Sequence, residues 1–422
     1  MFEVESLTAK EILNSRKKKT IEAELKTKFG IFKSSVPSGK SKGESEAFEI
    51  KTELAVKNIQ ELIAPRLKKK LVSEQKKVDR FLINLDGTKN KLKLGANTLL
   101  SISMVCCRAI AANKKLPLFR YVREIGNWKL KIENWLLPTP CFNILNGGAH
   151  AKNDLDIQEF MIIPKMDSFQ KNLEAGIKVY QSLKKILENT GGPSSPQIGG
   201  GPSSPNFSPM LIIGDEGGFA PKLKNTKEAL ILLIEAIRVA GYEGKVDIGL
   251  DCAASQFYKN NCYFFENQKL NGNEMANFYL NILKKYPILF LEDPFEQNDW
   301  TSWRGLRLEI KKQKLNTFIV ADDLTTTNAK RIKKAKRKKA CEGVIIKPNQ
   351  IGTITETLKV AKLAKKFGWK IIVSHRSGET KDDFISDLAV GVGADFIKSG
   401  TPGPIERMSK YNRLLEIEKE LT

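Results

Sequence analysis

The chain has 422 residues, 41% of them hydrophobic, and its 70 Lys and Arg against 48 Asp and Glu leave a formal net charge of +22. That length suits a barrel plus a smaller domain, and no apolar run is long enough to span a membrane. The excess charge is mostly scattered lysine with few interleaved aromatics, which predicts solvated helix faces and only weak, non-specific attraction to nucleic acid. The first residues, Met1-Phe-Glu-Val-Glu-Ser6, lack the basic-then-apolar layout of a secretory signal. The six cysteines show neither metal spacing nor a disulfide framework, so a cytoplasmic protein with reduced core thiols is expected.

Residues 20–29 alternate with Ile21, Ala23, Leu25, Thr27 and Phe29 on one face, the period of a half-buried strand. Gly30 offers a turn, and residues 31–36 return as an antiparallel partner. Beyond the Ser/Gly/Lys loop at 37–43, helices are predicted over 46–64, with Pro65 as a stop, and over 73–85 and 96–112. Strands followed by helices make a small α+β domain of residues 1–130. A further helix is expected over 170–189. The near-tandem Gly-Gly-Pro-Ser-Ser-Pro repeat within 191–208 reads as an exposed loop.

From 246 onward six strand-length apolar runs each end on an ionisable residue: Asp251, Glu292, Asp322, Lys347, His375 and Lys398. Mostly, the gaps between them hold one helix and two short loops. Such repeats close into a (β/α) barrel whose carboxy-terminal strand ends share one mouth. The fold class is therefore α/β, with a barrel over 131–422. Thr353-Ile-Thr-Glu356 is a capping-box pattern opening one barrel helix, and the intensely basic stretch 329–340 reads as a solvated outer helix.

Three carboxylates at three strand ends, Asp251, Glu292 and Asp322, without metal-spaced cysteines or paired histidines, suit Mg²⁺. Lys347 and Lys398 directly follow apolar runs, and an ammonium is disfavoured beside a cation, so each is a credible general base. The only two histidines, His150 and His375, lie in polar, glycine-containing stretches. His375-Arg376-Ser377-Gly378, just ahead of an expected helix, favours a phosphate. With the further acids Glu159 and Glu216, this set defines metal-assisted β-elimination of water from a phosphorylated hydroxy acid.

The chain resembles the enolase family from end to end. The resemblance is carried by Lys10-Glu-Ile-Leu-Asn-Ser-Arg16, Leu85-Asp-Gly-Thr88, Lys93-Leu-Gly-Ala-Asn97, Asn146-Gly-Gly-Ala-His150, Gln158-Glu-Phe-Met161, Gly214-Asp-Glu-Gly-Gly218, Leu291-Glu-Asp-Pro-Phe295, Ala321-Asp-Asp-Leu324, Lys347-Pro-Asn-Gln-Ile-Gly-Thr353 and Ser374-His-Arg-Ser-Gly-Glu-Thr380. It implies an irregular (β/α)8 barrel that opens with two strands and two helices. The implied activity is reversible, Mg²⁺-dependent dehydration of 2-phosphoglycerate to phosphoenolpyruvate. Two Mg²⁺ are implied per active site, one on Asp251, Glu292 and Asp322 and a second reached by Ser41. Lys347 would take the proton from carbon 2, and Glu216, assisted by Glu159, would protonate the departing hydroxyl. His150, Gln158, His375, Arg376, Ser377 and Lys398 would bind substrate, Arg376 and Ser377 at its phosphate. A homodimer or higher homo-oligomer follows from the same resemblance. The alternative is a weakened enolase-like protein retained as a basic RNA-binding or assembly partner.

Three departures stand out. Lys17-Lys18-Lys19 replace the family's Gly-Asn-Pro, and Ser38-Gly-Lys-Ser-Lys-Gly43 replaces its Ser-Gly-Ala-Ser-Thr-Gly. Pro404 stands where an arginine is usual.

Overall fold

The structure is a computed structural model that describes residues 2–40, 43–68, 71–128, 135–151, 153–189 and 212–421. Ser41 and the 191–208 loop lie outside the described residues.

A short β1 (Phe2–Glu3) precedes a three-stranded antiparallel sheet of β2 (Ser6–Leu13), β3 (Lys19–Thr27) and β4 (Gly30–Ser35), with β3 central. The predicted alternation holds through Thr27, where the strand ends. Phe29 falls in the turn to β4 and is exposed, because a side chain past the ladder no longer follows its period. The sequence reading missed β2. Its buried positions include Leu7 and Ala9, but its second half is charged and only half-covered, so the apolar alternation is faint.

Helix α1 (Thr52–Lys57) starts later than the predicted 46, since residues 46–51 are not helical. It passes through a π-helical turn (Asn58–Ile63) into α2 (Ala64–Leu67). Pro65 therefore does not stop the helix. It stands just past the π-helical turn, where the backbone ladder is already shifted. A two-residue β5 (Leu71–Val72) pairs with β1. Then come α3 (Gln75–Asp86), α4 (Ala96–Asn113) and α5 (Leu118–Gly126). Nearly all of α4 is buried, as expected of a helix apolar around its whole circumference, and it packs on β3 and β4.

The barrel starts with β6 (Thr139–Asn146), β7 (Glu159–Pro164), α6 (Phe169–Asn189) and α7 (Thr226–Val239). Strand β8 (Val246–Asp251) is followed by a small sheet of β9 (Tyr258–Lys259), β10 (Cys262–Phe265) and β11 (Gln268–Leu270). Strict alternation then takes over: α8 (Gly272–Leu283), β12 (Ile288–Glu292), α9 (Trp300–Lys312), β13 (Phe318–Ala321), α10 (Ala329–Lys338), β14 (Gly343–Ile346), α11 (Ile354–Lys366), β15 (Lys370–Ser374), α12 (Phe384–Val392), β16 (Phe396–Lys398) and α13 (Ile405–Leu421). The strands close in the order β12-β13-β14-β15-β16-β6-β7-β8. Strand β7 runs antiparallel to both β6 and β8, so the barrel opens with two strands and two helices as the resemblance implies.

By compactness the chain forms two units, one of residues 1–138, 320–399 and 405–422, the other of residues 139–319 and 400–404. In the first, the amino terminus of α11 is capped from outside its own helix as well as by Thr353. Ser103 accepts from Ile354 N at 3.0 Å and Asp79 accepts from Thr355 N at 2.7 Å. The basic α10 buries Ile332 and Ala335 and exposes Lys330, Lys333, Lys336, Arg337 and Lys338, the solvated face expected of it.

Candidate active site

In the second unit three carboxylates share one row. Glu159 opens β7 opposite Asp251 on β8, and Asp251 pairs in register with Glu292 on β12. Residues in register on neighbouring strands project to the same face, and all three are buried. Gln158 joins the row, its Nε2 donating to Asp251 Oδ2 at 3.2 Å. Gln256, which the sequence reading missed, donates its Nε2 to Gln158 Oε1 and accepts from Ala149 N at 3.0 Å, tying the row to the His150 turn.

His150 Nδ1 lies 3.4 Å from Glu159 and 3.7 Å from Glu216. Burial pulls the imidazole pKa down, but Glu216, then Glu159 and Asp251, outweigh it and hold it above the ordinary histidine value. Asn143 Nδ2 donates to the other oxygen of Glu216 at 3.0 Å. The glycines around Glu216 have a steric reason. A Cβ on Gly214 or Gly218 would fall 2.5 Å from Asn146 Oδ1, and Gly217 adopts φ +90° with Thr401 Cγ2 2.2 Å from where its Cβ would be.

In the first unit, Lys347 Nζ donates to Asp322 Oδ2, and Gln350 Nε2 donates to Oδ1 at 2.9 Å. Thr327 holds both neighbours, accepting from Lys347 N at 2.9 Å and donating to Gln350 Oε1 at 2.6 Å. Burial would raise the Asp322 pKa, but Lys347, Arg376 and Lys398 take it below the usual carboxylate value. Lys398 is buried at the end of β16, paired in register with Ser374.

The 375–378 segment is not a helix amino terminus, because α12 begins only at Phe384. Its anchor is instead Arg407, on the first turn of α13 and 1% exposed. That guanidinium donates to the carbonyls of Arg376 at 2.7 Å and Ser377 at 2.8 Å, and to His375 Nδ1. Arginine only donates, so Nδ1 accepts and the ring carries its proton on Nε2. Sequence spacing gave Arg407 no role. Arg376 is buried and forked onto Glu46 at 2.9 and 3.3 Å, which holds its charge firmly. From the other side residues 38–40 lie on this segment. Ser38 and Gly378 exchange backbone bonds of 2.9 Å, and Lys40 N donates to Ser377 Oγ at 2.9 Å.

Buried carboxylates side by side cost several kcal/mol each unless something neutralises them. The in-register Asp251 and Glu292 are therefore suited to a hard cation, which selects carboxylate oxygens. The ligand atoms of His150, Glu159 and Glu216 also lie within 4.8 Å of one another. The raised imidazole pKa favours a shared proton there.

A closed barrel with buried carboxylates in register, a lysine held on an aspartate and acids gathered round a histidine carries the groups of an acid–base enzyme able to bind a metal ion. Residues 4–122 match the enolase amino-terminal domain, and residues 134–422 match the enolase carboxy-terminal TIM barrel domain. Enolase B of Dictyostelium discoideum is 44% identical over 99% of this chain and 95% of that protein. The chain belongs to the enolase family, and its activity is that of a phosphopyruvate hydratase, a carbon–oxygen lyase.

Proposed function

We propose that Lys347 removes the proton from carbon 2 of 2-phosphoglycerate, and that Glu216, assisted by Glu159, protonates the departing hydroxyl to give phosphoenolpyruvate. The observation that carries this reading is the pairing of Lys347 with Asp322, an amine held against a buried carboxylate. Asp251, Glu292 and Asp322 would hold one Mg²⁺, and Ser41 would contribute to a second. When bound, the ions stabilise charge on the substrate carboxylate as carbon 2 loses its proton. Lys398 contacts that carboxylate, and His150 and Gln158 line the hydroxyl side. Arg376 and Ser377 bind the phosphate, with the His375 ring held beside them by Arg407.

Residues 1–130 form the amino-terminal domain and 131–422 the catalytic barrel, a division supported by the two family matches. The protein works in the cytoplasm as a homodimer or larger homo-oligomer, as the resemblance implies. Among the described residues no helix is long and apolar enough to cross a membrane.

A phosphoenolpyruvate-formation assay run beside deuterium exchange at carbon 2 tests the roles. Lys347→Ala should lose both activities. Glu216→Gln should lose dehydration and keep exchange. Exchange surviving in Lys347→Ala would remove that lysine from its role.

A further inference from the structure

We propose that Lys40 is a further cationic contact for the substrate phosphate and so sets substrate affinity in this chain. The inference rests on the reading of Arg376 and Ser377 as the phosphate site.

The backbone of Lys40 is fixed to that site. Ser38 is bridged to Gly378, Lys40 N donates to Ser377 Oγ at 2.9 Å, and a Cβ on Gly39 would fall 1.8 Å from Arg376 Nη2. The loop therefore lies directly on the guanidinium, and a side chain there would have to displace it. From such a position a lysine stem, which extends about 6 Å, carries its ammonium to the anion that the Arg376 fork meets. Ser377 adds a second reason. Its oxygen accepts from Lys40 N–H, which leaves the hydroxyl proton to donate to a phosphate oxygen. One loop residue thus orients a donor with its backbone and supplies a charge with its side chain. Lys40 is exposed, and the buried Arg376 under its loop shares its charge with Glu46. A dianionic phosphate gives both cations a common partner. An added charge about 5 Å from a dianion in a partly wet site is worth roughly tenfold in affinity.

The test uses the full chain and inorganic phosphate as probe, in two formats. One is competitive inhibition of the Mg²⁺-loaded enzyme, and the other is calorimetric binding without added metal. Lys40→Ala should weaken phosphate about tenfold in both formats and raise KM for 2-phosphoglycerate to match. Lys40→Arg should restore most of the loss, and added salt should shrink the difference. Arg376→Ala is the reference. If Arg376→Ala weakens phosphate and Lys40→Ala stays within twofold of the parent, Lys40 is a solvated lysine and the proposal fails alone. If Arg376→Ala leaves phosphate binding intact, the phosphate-site reading itself fails.

Discussion

Removing Arg407 tests how the 375–378 segment is held. Its one guanidinium serves three acceptors, the Arg376 and Ser377 carbonyls at 2.7 and 2.8 Å and the His375 ring. The side chain is almost wholly buried. Arg407→Ala leaves those acceptors without their donor, at about 1–3 kcal/mol each before water refills the space. A net destabilisation of about 3–5 kcal/mol is expected. Lysine should not rescue it, because an ammonium is a point charge and the acceptors need a planar fork. Loosening the segment by about 1 Å should cost on the order of 100-fold in kcat/KM, carried mainly by KM. The variant also removes the donor that fixes the His375 tautomer, so the pH profile of KM should change. Steady-state kinetics from pH 5.5 to about 8.5, beside thermal unfolding, read all three effects. An Arg407→Ala enzyme that unfolds early but keeps the parental KM and pH profile would refute the coupling and leave Arg407 a packing residue only.

Gly217→Ala should lower kcat more than tenfold by lifting the Glu216 turn off Thr401, and Thr401→Ser in the same chain should restore part of it, because it removes the methyl that an added Cβ would strike; unchanged kcat in the single variant would deny the steric argument. Burial raises the Asp79 pKa to about 6 against the hydrogen bonds it receives from Ser103, Thr355 and Gln75. A raised acid contributes stability below its unfolded pKa and loses it as pH climbs through the folded one, so the stability of the parent relative to Asp79→Asn should fall by about 2 kcal/mol between pH 4 and 6. Unfolding midpoints across that range check it, and a gap that does not move with pH would refute it. Lys40 and Lys42 flank Ser41, and their charge should push Mg²⁺ activation to higher concentrations than a typical enolase needs; a Mg²⁺ titration in which Lys42→Ala needs no less metal than the parent would count against this.

The last six barrel strands were legible because each announces itself twice, by an apolar run and by the ionisable residue that ends it, a signal that β6 and β7 lack. Asp251, Glu292 and Lys398 close their strands, while Asp322, Lys347 and His375 follow theirs by one residue. Local capping was equally visible, with Thr353 opening α11 and accepting from Glu356 N. What escaped notice depends on distance in space. Arg407, Gln256 and Glu46 act through partners far along the chain, and no periodicity in their own segments marks them. Strand β2 was missed for a different reason, since half of its ladder faces charged neighbours and water.

The cap on α11 has a consequence for how the protein is made. Asp79 leaves the ribosome early, but the backbone N–H it accepts belongs to a residue 276 positions later, and Glu46 waits 330 positions for Arg376. At roughly 5–20 residues per second of synthesis, that interval is on the order of 15–60 s. For that time Asp79 has Ser103 and Gln75 but lacks its Thr355 donor, and Glu46 has Gly43 but lacks the guanidinium that neutralises it. The first third of the chain is thus built early and completed last.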